Sequence, residues 1–85
     1  KVPEIEQYLT IGAAIQNMLN MIHLLGYGGM FLTGPNAYDP YVKEKLDLVD
    51  PQNLVGFLYV GSCHKALHPK KRQDPRKYIH PFPIV

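Results

Sequence analysis

The chain has a single cysteine, Cys63. No internal disulfide can form, and a reducing, cytoplasmic setting is expected. Long apolar runs are missing as well. Gln16, Asn17, Asn20 and His23 interrupt the most apolar segment, well short of the roughly 18 uninterrupted residues that a membrane span needs. No membrane partner is therefore expected. The opening residues carry no secretory-leader pattern. There is no GxSxG elbow, no P-loop and no paired-carboxylate arrangement, and Cys63 has no CxxC companion. Internal repeats and low-complexity tracts are absent too. Whatever chemistry this chain serves, the sequence does not present it as a set of catalytic side chains.

What is present points to folded structure. At 85 residues the chain makes at most one small domain with a modest core. Its 46% hydrophobic and 11% aromatic content argues against disorder. It opens on Lys1 rather than on methionine, which leads to the expectation of a fragment of something longer. Charge is divided unevenly. Residues 1–61 hold three lysines against six carboxylates, whereas residues 62–85 hold six cations against Asp74 alone. An anionic ligand should therefore be sought in the tail.

Residues from about Glu4 to Leu25 read as one helix. Pro3 suits its first turn, Glu4 and Glu6 oppose the helix dipole, and Gly26 ends it. Projected at about 100° per residue, Glu6, Thr10, Ala13, Asn17 and Asn20 form one narrow polar or small stripe, and nearly all the rest is apolar. About 33 Å of such a helix cannot be wrapped by sixty further residues, so its cover is expected from other chain, a second protomer included.

The helix runs into GYGGMFLTG (26–34), which reads either as a helix stop and loop or as main chain shaped to lie against a flat ligand. Asp39 is a candidate N-cap for a short helix from Pro40 to about Leu48. NLVGFLYVG (53–61) reads as a strand apolar on both faces, hence central in a covered sheet, with Gly56 at a tight packing contact and Gly61 at its end. Beyond Ser62, Pro69, Pro75, Pro81 and Pro83 favour an extended arm, closing in the apolar KYIHPFPIV.

His64 and His68 stand four apart and could join Cys63 on a metal only from a helix, which the nearby prolines disfavour. No metal site is expected, and the plainer reading is polar residues in a loop. His23, on the long helix, reads as a core or interface histidine. In PKKR, Lys70 and Arg72 fall on one side of an extended segment. There they could grip a phosphate, as a point charge and a fork respectively, or could simply be a solvated surface.

Taken in order, AAIQNMLNMIHLLGYGGMFLTG (13–34), the acidic-proline turn and short helix with Leu46 and Leu48, LVGFLYVGS (54–62) and PKKR (69–72) resemble the C-terminal part of the flavin-dependent nitroreductase family. Phe31 stands where that family commonly has tryptophan, and the family's upstream R-x-S-x-R segment has no counterpart here. The resemblance implies an α+β fold fragment: long interface helix, glycine-rich loop, short helix, central strand and extended C-terminal arm. Residues 1–85 would be the C-terminal portion of a single nitroreductase-like domain whose N-terminal part is absent.

The same resemblance implies FMN as cofactor, NADH or NADPH as co-substrate, and a homodimer with FMN between subunits. It implies that Phe31, Leu32, Thr33 and Gly34 lie beside the flavin ring, with the Thr33 N–H near N5 and no catalytic side chain. Lys70 and Arg72 match a K-x-R that grips the flavin phosphate. The implied activity is reduction of a small-molecule acceptor, nitroaromatic or quinone-like. Alternatives are another flavin enzyme of the superfamily, of dehalogenase or flavin-destructase type, and a non-enzymatic interaction module with a basic arm. No nucleic-acid partner is expected, because no binding motif accompanies the cations.

Overall fold

A computed structural model describes residues 1–83; the last two residues of KYIHPFPIV lie outside the described residues. The chain begins with helix α1 (Glu4–Leu24). Pro3 is the residue before its first turn rather than part of it, and its carbonyl accepts from the Glu6 and Gln7 N–H groups. The C-terminal end matches expectation. Gly26 adopts φ +86°, and the Tyr27 N–H donates to the Ile22 carbonyl at 3.0 Å. That bond gives a late helix carbonyl a partner, and the left-handed φ is one glycine reaches without steric cost.

The glycine-rich stretch after α1 is not merely a loop. Gly28–Leu32 form strand β1, paired antiparallel with strand β2 (Phe57–Gly61), with Gly28 opposite Gly61 and Leu32 opposite Phe57. Two glycines lower strand propensity, but propensity yields to packing. Pairing with FLYVG and the seat for α1 hold the segment in place. A Cβ on Gly29 would lie 3.0 Å from Leu19 Cδ2 and 3.3 Å from Ile22 Cγ2, so α1 rests directly on bare backbone. A side chain at Gly28 would collide with Cys63 Sγ.

The strand at 53–61 is shorter than its sequence suggests, because residues 53–56 carry no ladder. Nor is it central within these residues: the sheet has two strands, and both are edges. The short helix also stops early. Helix α2 spans Pro40–Lys45, capped by the Asp39 carboxylate accepting from the Tyr41 N–H at 2.9 Å. Asp47 then takes φ +58°, and the Leu48 N–H closes onto the Lys43 carbonyl at 2.9 Å. The chain therefore turns where continued apolar spacing suggested helix. Pro35–Tyr38 forms one 3-10 turn before α2. A second at Pro75–Tyr78 interrupts the otherwise extended arm.

Almost nothing in this architecture is enclosed. Ala37 is the one buried hydrophobic residue among those described. The radius of gyration is 17.5 Å, against about 12 Å for a compact chain of this length. Accessible surface is 8367 Å², where a compact monomer of this mass would show roughly 5,100 Å². On α1 only Ile15, Leu19 and Ile22 are half-buried, the face toward β1, while Leu9 and Leu24 remain 66% and 77% exposed. The described chain covers one face of α1 and leaves its other apolar faces bare. No helix among the described residues is long and apolar enough to cross a membrane.

Candidate functional site

The end of β1 and the bend after it form the candidate site. Phe31 is half-buried, its ring tip packed where a side chain of residue 56 would otherwise stand: a Cβ on Gly56 would come 2.5 Å from Phe31 Cζ. Leu32, Thr33 and Gly34 are exposed. Gly34 turns the chain with φ +65° and ψ 176°, and its carbonyl accepts from the Ala37 N–H at 3.3 Å to start the 3-10 turn. Open space surrounds Gly34 on the side where a Cβ would project.

At the Leu32–Thr33 peptide, the same Cβ on Gly56 would come 2.7 Å from the Leu32 oxygen. The carbonyl is therefore turned toward the lead-in to β2. In a trans peptide the following N–H points the opposite way. The Thr33 N–H accordingly faces away from β2, and it has no acceptor among the described residues. An exposed strip with an outward main-chain donor and a side-chain-free neighbour can receive a flat molecule bearing an acceptor atom.

Lys70 and Arg72 lie in the segment without regular structure, both exposed and without a hydrogen-bond or ion-pair partner among the described residues. Among the described residues nothing neutralises them, which leaves both open to an anion there. No hydrogen bond or ion pair joins them to the strip among the described residues. The arm's other well-placed cation is engaged: Arg76 bonds the Asp74 carboxylate at 2.9 Å and 3.1 Å. That guanidinium, together with the Arg76 main-chain N–H that also donates to the carboxylate, holds the Asp74 carboxyl below the usual carboxylate range, and in return the Arg76 pKa is raised.

His64 and His68 sit in a bend and irregular chain, not on a helix, and no group of three metal-ligating side chains forms among the described residues. His23 lies exposed in the last turn of α1. Two grooves open elsewhere. One of about 730 Å³ lies beside α2 between Tyr38 and Asp50; the other, of about 520 Å³, lies between the first turns of α1 and residues 51–55. Neither takes in Phe31 to Gly34. In the second, the Asn53 side-chain amide donates to the Tyr8 hydroxyl at 3.2 Å, tethering α1 to the lead-in of β2. Sequence reasoning missed that link, since two polar residues so far apart carry no periodic signal.

The model of the Nitroreductase family matches residues 1–62. Over 83 residues the chain is 34% identical to the protein named Putative NAD(P)H nitroreductase YdjA of Escherichia coli (strain K12), covering 96% of this chain and 45% of that protein. The protein of the same name from Escherichia coli O157:H7 gives the same identity and coverage. The chain thus spans about half the length of the curated relatives it matches.

Proposed function

The chain belongs to the Nitroreductase family, and on that premise we propose that it is part of an FMN-dependent, cytoplasmic oxidoreductase in which NADH or NADPH reduces a nitroaromatic or quinone-like acceptor. The observation that carries this reading is the outward Thr33 N–H, without an acceptor among the described residues, on an exposed strip. FMN, when bound, supplies the hydride chemistry at its N5, which is why the chain needs no catalytic side chain of its own.

The roles left to the protein are positioning and electrostatics. Thr33 offers its main-chain N–H to the acceptor atom. Gly34, bare and surrounded by open space, lets a planar ring lie close. Leu32 and Phe31 provide the apolar flank. Lys70 and Arg72, without an ion-pair partner among the described residues, hold the phosphate, the lysine as a point charge and the arginine as a fork. The bare faces of α1 are read as the contact with a second copy, giving a homodimer.

The test compares two substitutions at Thr33 in the complete protein. Thr33→Ala keeps the main-chain donor and should retain flavin and most of the reduction rate. Thr33→Pro removes the N–H. Leu32 is already extended in β1, so the restriction that proline places on its predecessor is met. Loss of one well-placed donor costs on the order of 10²–10³ in rate. Stopped-flow reduction by NAD(P)H at the wild-type rate in Thr33→Pro would show that the strip is only a helix stop.

A further inference from the structure

Gly56 does not have a left-handed φ, unlike Gly26 and Gly34. Backbone conformation therefore does not require glycine there; space does. A Cβ at this position would stand 2.5 Å from Phe31 Cζ, 3.0 Å from Phe31 Cε1 and 2.7 Å from the Leu32 carbonyl oxygen. The first two neighbours belong to the end of an aromatic side chain, which can swing aside. The third is backbone, and it belongs to the peptide unit that ends in the Thr33 N–H. That unit is trans, since the cis bonds are Asp50–Pro51 and Phe82–Pro83, so carbonyl and N–H turn together as one plate. Any group that pushes the Leu32 oxygen away from residue 56 must re-aim the Thr33 N–H.

We propose that Gly56 is a positioning residue: its missing side chain lets the Leu32 carbonyl turn inward and thereby aims the Thr33 N–H outward at the bound ligand's acceptor atom. Gly56 lies on the lead-in to β2, 23 positions from Thr33 in sequence, and touches the ligand only through this plate. The inference rests on the flavin reading above.

The experiment loads the complete protein with FMN labelled with nitrogen-15 at N5 and compares wild type, Gly56→Ala, Phe31→Leu and the double variant. The N5 resonance reports a hydrogen-bond donor directly and does not depend on turnover. In Gly56→Ala it should move toward the position of flavin without a donor at N5, and flavin reduction should slow by about tenfold, less than for outright loss of a donor. The double variant relieves the ring conflict but leaves the carbonyl conflict, so its displacement should persist relative to Phe31→Leu.

Return of the double variant to the Phe31→Leu position would overturn the proposal, leaving Gly56 as room for a ring. If Gly56→Ala does not fold, the double variant decides. If neither folds, amide exchange in flavin-free wild type decides: Thr33 must exchange freely and become protected on adding FMN, and a Thr33 amide already protected without FMN sinks the idea. Wild type that takes up no FMN at all would instead overturn the flavin reading itself.

Discussion

The helix and hairpin (residues 4–61) and the arm (residues 62–83) are held by different kinds of contact. In the first region the fixing contacts join residues far apart in sequence: Leu19 and Ile22 over Gly29, Phe31 over Gly56, Tyr8 with Asn53. In the arm, apart from Cys63, whose Sγ packs against Gly28 of β1, those found are local, between Asp74 and Arg76 and between Tyr78 and Gln73. One region uses apolar side chains and bare backbone to fix a position. The other keeps its charges exposed on chain that has little holding it to anything. Stability and ligand affinity should therefore separate along this boundary.

Substitutions can break that separation. The largest effect is expected in the arm and on binding alone. A charge-assisted hydrogen bond is worth roughly 1.5–3 kcal/mol, so Arg72→Ala should weaken FMN binding about ten- to a hundredfold while leaving the unfolding midpoint of the flavin-free protein unchanged. Equilibrium titration and thermal melts of the complete protein check both halves; unchanged affinity in the Lys70→Ala, Arg72→Ala double variant returns the pair to a solvated surface. In the helix and hairpin the reverse holds. Gly29→Val places a branched side chain against Leu19 and Ile22 and should cost about 1–3 kcal/mol of stability through overpacking. A melt as high as wild type would mean that the seat of α1 on β1 is loose.

A smaller, opposite effect is expected at Asp47. Its left-handed φ of +58° is strained for any residue with a Cβ, so Asp47→Gly should stabilise the end of α2 by roughly 0.5–1 kcal/mol, read by denaturant titration. The smallest effect is the arm's response to acid. Because the folded-state Asp74 pKa is lowered, its contribution is complete above the ordinary aspartate range and is lost as pH falls through the lowered value. Amide exchange at Arg76 should rise on that acid side, while the hairpin amides do not follow. Simultaneous loosening of both would show that arm and hairpin are one cooperative unit.

How much of this was legible in the sequence depended on whether the signal was local. The span of α1, its stop at Gly26, the Asp39 cap and the tight contact at Gly56 each follow from a few neighbouring residues, and each is present. Strand β1 was hidden because its evidence is split between itself and a partner that begins 25 positions after its end; glycines read alone mean turn. The end of α2 was misjudged because an aspartate stands where glycine would have marked the stop. At the candidate site the residue types were visible, but the direction of the Thr33 N–H was not. It depends on a peptide plane set from across the sheet.

The open edges of the two-stranded sheet have a consequence for handling the chain. No Asp, Glu, Lys or Arg lies between Glu6 and Asp39, and none between Asp50 and Lys65. Both strands, GGMFL and FLYVG, therefore sit in chain with no charged gatekeeper and no proline inside them. Uncharged, apolar, unpaired edges of this kind template further strands. Expressed without whatever covers those edges, the chain should form β-rich aggregates in preference to a stable monomer. Lysines placed on the outer edge of β2 should raise its solubility.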